Sequence, residues 1–148
     1  MFRPLFLLPL LLFSCQDNSG AATATAEHSG ISLSKNTASD EELQLGKEIY
    51  NAVCAACHLS EGTGDGKNFP PVAASDYLNE DPVRSIEIML YGMDGKIKVN
   101  GKTYDSFMPP QKLTDEETAA VLSYVYANWQ NAGFHVTPAD VATVKEKL

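Results

Sequence analysis

Cys54-Ala55-Ala56-Cys57-His58 sets two thiols three positions apart, with an imidazole directly after the second. Thiols at this spacing can bind a metal, exchange a disulfide or add across the vinyl groups of a haem, and each chemistry needs a different setting. A thioredoxin-like dithiol follows a hydrophobic strand and opens a helix, whereas this pair closes an amphipathic helix with no βαβ pattern around it. Structural zinc needs a fourth ligand, yet the remaining Cys15 lies near the N-terminus, and His28 and His135 fall in a polar stretch and near the tail. A disulfide across two residues is strained and would leave His58 without a purpose. The spacing therefore points to covalent attachment of one haem c through Cys54 and Cys57, with His58 beneath the ring as an iron ligand.

Three capped helices are expected to position these groups. Ser39-Asp40-Glu41-Glu42 is a capping-box pattern, and Leu43, Gly46, Ile49, Tyr50 and Val53 then recur at helical spacing into Cys54. Asp81 before Pro82 caps a second helix whose apolar face is Val83, Ile86, Met89 and Leu90, ending at Gly92. Thr114-Asp115-Glu116-Glu117 opens a third, with Val121, Leu122, Val125 and Trp129 as its buried stripe and Asn131 to Gly133 as its stop. A last short helix, opened by Thr137-Pro138, is expected on the surface within residues 136–148. Strand signal is confined to Lys96–Val99 and Lys102–Tyr104, joined by Asn100-Gly101, a pair suited to a two-residue hairpin turn. The expected fold class is all-α with one minor β-hairpin.

The chain has 148 residues, a single-domain length, and carries 19 acidic against 11 basic residues for a net charge of −8. Such a balance excludes a nucleic-acid role, because that affinity comes from clustered Lys and Arg. Residues 1–14 read as an export signal, with Arg3 ahead of an apolar run too short to cross a bilayer. Leu12-Phe13-Ser14-Cys15 resembles the lipobox of bacterial lipoproteins, so Cys15 is the expected site of lipid attachment. Residues 15–38, rich in Ser, Thr, Ala, Gly and Asn, are expected to form a flexible tether ahead of a folded domain spanning 39–135. The expected location is the periplasmic side of a bacterial membrane, held by the lipid anchor.

From Asp40 to about His135 the sequence resembles the class I monohaem cytochromes c. Gly46 and Tyr50 on the first helix, the pentapeptide, the loop of Gly62, Gly64 and Gly66, and Phe69-Pro70-Pro71 follow that family's order. The resemblance implies a small cytochrome c fold, in which Gly46 lets the first and last large helices cross closely. It also implies that a carbonyl of Pro70 or Pro71 holds the His58 ring, and that a Met ahead of the last large helix is the sixth iron ligand. Met108, in Ser106-Phe107-Met108-Pro109-Pro110, is the choice by position. Met89 sits on a helical apolar face, Met93 lies in a turn far ahead of that helix, and His135 is the remotest candidate. Arg84, Tyr91 and Tyr104 are candidates to contact the haem propionates.

An iron with His58 and Met108 on its two axial positions has no vacancy, so the implied role is one-electron transfer with no small-molecule substrate, not catalysis. The rival readings are a peroxidase or gas sensor with a labile Met. The stretch from Tyr91 to Pro110 resembles cytochrome domains found beside nitrite reductases, sugar dehydrogenases and haem-copper oxidases, which makes a reductase, dehydrogenase or terminal oxidase the expected redox partner. From Gly92 to Leu113, Lys96, Lys98, Lys102 and Lys112 outnumber Asp94 and Asp105 and suggest a locally basic rim for docking.

Overall fold

The computed structural model describes residues 27–28, 31–35 and 37–147. The expected signal at 1–14, Cys15 and most of the expected tether lie outside these residues.

Helix α1, Asp40–Ile49, opens on the expected capping box: the Glu42 amide donates to Ser39 Oγ, and Glu42 Oε2 accepts from the Ser39 amide. The helix widens into one π-helical turn over Tyr50–Cys54 and tightens again as α2, Ala55–His58. Helix α5, Asp115–Ala127, carries the second capping box, Thr114 with Glu117. The two helices cross where Gly46 faces α5: a Cβ at Gly46 would lie 2.1 Å from the Ala120 carbonyl oxygen and 2.7 Å from Tyr124 Cβ. No larger residue fits this crossing without separating the helices. Beyond it the rings of Tyr50, Tyr124 and Trp129 pack mutually, with centroids 5.8 Å (Tyr50–Tyr124), 5.0 Å (Tyr50–Trp129) and 5.5 Å (Tyr124–Trp129) apart. Trp129 was expected on the helical stripe; it sits past the last helical residue, at a φ of 51°, where the chain turns back.

Helix α4, Pro82–Tyr91, starts as expected, with Asp81 accepting from the Arg84 amide and Pro82 in the first turn. A five-residue helix not foreseen in the sequence, α3, Asp76–Glu80, precedes it. Strands β4, Lys96–Val99, and β5, Lys102–Asp105, form the expected antiparallel hairpin, with Asn100 and Gly101 both at positive φ in the turn. The Asp76 side chain accepts from the Asn100 amide at 2.7 Å and the Asn100 side chain from the Asp76 amide at 3.1 Å, which ties this hairpin to α3.

The N-terminal stretch differs from a free tether. Glu27–His28 and Ile31–Ser32, β1 and β2, pair with each other; Ser34–Lys35, β3, pairs with Phe134–His135, β6. Ile31 and Leu33, two apart and so on one face of the extended chain, are 4% and 1% exposed within the core. The last helix, α6, Pro138–Lys147, also differs from the surface helix expected: Val141 and Val144 are buried against the core shared with α5. Among the described residues no helix is long and apolar enough to cross a membrane.

Candidate haem-attachment site

The π-helical turn and α2 carry the pentapeptide, so Cys54 ends the wide turn and Cys57-His58 ends the helix. Leu59, at a φ of 63°, then turns the chain out of the helix, and its carbonyl accepts from the Tyr50 hydroxyl at 2.8 Å. Both thiols are free and partly buried. Burial, reinforced by neighbouring Cys57, pushes the Cys54 thiol up to about 11. A thiol held protonated is a poor disulfide-exchange nucleophile, which weighs against the redox-dithiol reading.

His58 Nδ1 lies 3.0 Å from the carbonyl oxygen of Pro70, and Pro71 has no part in the contact. A carbonyl only accepts, so Nδ1 carries the proton and the neutral ring keeps its lone pair on Nε2. Burial lowers the His58 pKa below its ordinary value, against an opposing effect of the Pro70 contact, and favours that neutral form.

The acceptor is built by the loop between them. Gly64 donates its amide to the His58 carbonyl at 2.9 Å, and a Cβ on Gly64 would lie 2.2 Å from the Phe69 carbonyl oxygen and 2.7 Å from that of Pro70. Asp65 accepts from the amides of Lys67, Asn68 and Phe69, which holds its carboxyl at about 2. This cap was not foreseen; its signal in the sequence is Asp65 between Gly64 and Gly66, a loop Asp whose side chain can accept from the amide two residues on, as in an Asx turn.

Opposite α2, two segments close the site. Met93 and Met108 exchange a pair of backbone hydrogen bonds as an isolated antiparallel bridge. Gly92, at a φ of 76°, makes room for it: a Cβ there would lie 2.6 Å from the Met108 carbonyl oxygen. Between these walls lies a cavity of two adjoining lobes, about 190 and 90 Å³, both lined by Cys54, His58, Pro70, Met93, Ile97 and Met108. Cys57 and Tyr104 border the outer lobe, and Pro71 and Met89 the inner one. Val53 and Phe107, the latter 62% exposed, stand at the outer lobe.

The expected residues thus converge with few exceptions. His135 does not line this cavity; its ring nitrogens lie 2.5 Å from Thr37 Oγ1 and 3.4 Å from Glu42 Oε1. Tyr91 is exposed and lines neither lobe, whereas buried Tyr104 does line one. Arg84 donates to the Tyr77 carbonyl and stacks on its ring, yet its Nε is buried with no partner among the described residues. Ile97 and Val99 were not foreseen as lining residues, although the alternation Lys-Ile-Lys-Val assigns both to one face of β4.

The residues present fit a covalently attached haem: two free thiols border an apolar slot, an imidazole offers Nε2 on that side, and thioethers line it as well. A small helical fold built around such a slot defines a class I c-type cytochrome. The family model described as Cytochrome c matches residues 43–129, more than half of the chain, and the chain belongs to the cytochrome c family. It is 39% identical over 92 residues to cytochrome c-552 of Thermus thermophilus, a match covering 59% of this chain and 70% of that protein. It is 29% identical over 141 residues to the fructose dehydrogenase cytochrome subunit of Gluconobacter japonicus, covering 86% of this chain and 29% of the subunit. The alcohol dehydrogenase (quinone) cytochrome c subunit of Gluconobacter oxydans is 28% identical over 105 residues, 68% of this chain and 22% of the subunit. The chain therefore spans less than a third of these dehydrogenase subunits. Its family carries covalently bound haem c, to which Cys54 and Cys57 conform, and the protein is a cytochrome c electron carrier.

Proposed function

We propose that the protein passes single electrons between respiratory or dehydrogenase partners while tethered to a bacterial membrane, with His58 and Met108 as the axial ligands of its one haem and without enzymatic activity of its own. The observation that carries this reading is that His58, with Nδ1 committed to Pro70, and Met108 line the same apolar cavity. Haem iron, when bound, supplies a one-electron couple.

The chain's own residues set the conditions for that couple. Cys54 and Cys57 fix the attachment edge, and the Pro70 carbonyl keeps the His58 ring in one tautomer and orientation. Val72, Leu78, Ile97 and Val99 exclude water from the inner lobe. Phe107 and Val53 are exposed at the outer lobe, where a partner would approach. The resemblance of Leu12-Phe13-Ser14-Cys15 to a lipobox supports export and lipid anchoring at Cys15. The related dehydrogenase subunits favour a dehydrogenase as one partner.

The ligand assignment is tested in the reduced protein labelled at methionine methyl groups, where the ligating methyl is strongly shifted upfield by the ring current. That signal is expected to survive in Met89→Leu and in Met93→Leu. Its loss in either variant would remove Met108 from the ligand position.

A further inference from the structure

Met93 and Met108 donate their amides to each other's carbonyls at 2.9 Å in both directions. Residues that exchange both hydrogen bonds of an antiparallel pair stand directly opposite one another and send their side chains to the same face. Here that face is the cavity, because both methionines line both lobes together with His58. Two thioethers therefore stand side by side where a single axial donor is needed.

The two segments differ in freedom. Met108 precedes Pro109 and Pro110, whose rings fix their own φ and hold Met108 extended. Met93 is flanked by Gly92 and, two residues on, Gly95; a Cβ on Gly95 would meet nothing within 4 Å. The Met side chain adds three rotatable bonds and a polarisable sulfur. Met93 can thus adjust its reach at the Gly95 end while the bridge keeps it beside Met108.

Resting on the reading of Met108 as the axial donor, we propose that Met93 is a reserve donor to the same iron. When Met108 is removed or displaced, the Met93 thioether takes the vacated position, and the site stays closed to small ligands. This gives the chain a built-in protection against the ligand-binding chemistry that follows loss of an axial methionine.

The test uses full-length, haem-loaded Met108→Ala, Met93→Ala and the double variant, with covalent haem content confirming that each has folded. Met108→Leu, which keeps apolar volume, replaces the alanine variant if that one fails to take up haem. The readouts are the near-infrared band of ferric haem bound to a thioether and the upfield methyl signal of the reduced form. Both signatures are expected to persist in each single variant and to vanish in the double variant, which alone binds carbon monoxide rapidly. Loss of both signatures on changing Met108 alone would overturn the reserve role and leave Met108 as the donor. Loss on changing Met93 alone would instead overturn the reading of Met108 itself.

Discussion

His58 Nδ1 donates to the carbonyl oxygen of Pro70 across 3.0 Å, and the two residues are joined by a loop whose tightness depends on a missing side chain at Gly64. The carbonyl is aimed by the loop backbone, which the Asp65 carboxylate holds by accepting from the amides of Lys67, Asn68 and Phe69. Anything that moves the 64–70 loop moves the ring of the iron's expected nitrogen donor.

Gly64→Ala is expected to displace Pro70, because its Cβ would overlap the Phe69 and Pro70 carbonyls and Gly64 sits at a φ of 62°. Strain of this kind costs about 1–3 kcal/mol. Chemical denaturation is expected to show that loss, accompanied by an altered His58 ring N–H signal in the nuclear magnetic resonance spectrum. Unchanged stability with an unchanged ring signal would mean that the loop is softer than its contacts indicate.

Asp65 should make the loop acid-sensitive. Its carboxyl falls from 3.8 to about 2 in the folded chain, chiefly because the Phe69 amide donates to it, followed by that of Lys67. A depressed folded pKa contributes stability above the unfolded value and loses it as pH falls from about 4 through about 2. Asp65→Asn is expected to flatten that part of the acid-unfolding profile, followed by haem absorbance. A wild-type profile in the variant would remove Asp65 from the loop's energetics.

Leu33→Ala tests the N-terminal strap. A side chain only 1% exposed is expected to cost about 2–4 kcal/mol when cut back to alanine. Thermal denaturation measures it; a change near zero would restore a free tether up to residue 38.

The lysines of the hairpin side do not share one role. Lys96 lies 3.9 Å from Asp105, and Lys102 donates to the Gly66 carbonyl, while Lys98 and Lys112 are exposed and form no ion pair among the described residues. Reversal of Lys98 and Lys112 to Glu is expected to slow electron exchange with an acidic partner and to weaken its dependence on salt. Rates that ignore both charge reversal and salt would rule out a basic docking rim.

Much of this site was legible because its signals are local. The two capping boxes, the Asp81-Pro82 start and the Asn100-Gly101 turn each specify backbone geometry within a few residues, and all four appear where expected. The burial of Ile31 and Leu33 was not legible, since it depends on β3 finding β6 about a hundred residues away. Ile-Ser-Leu-Ser is a strand pattern too short to stand out from a polar stretch. The choice of Pro70 over Pro71 was equally hidden: it follows from the positive φ of Gly64 and the Asp65 cap, which together decide which carbonyl meets His58. Met93 was placed in a turn without a partner, because a single bridge to Met108 leaves no periodic pattern in the sequence.

The central claim is a closed, six-coordinate haem attached through Cys54 and Cys57. The most direct measurement is carbon monoxide binding to the purified native ferrous protein, after denaturing electrophoresis has established covalent haem. A chain-bound haem that resists carbon monoxide is the result this account predicts. Rapid binding by the native protein, or a chain without covalent haem, would contradict it.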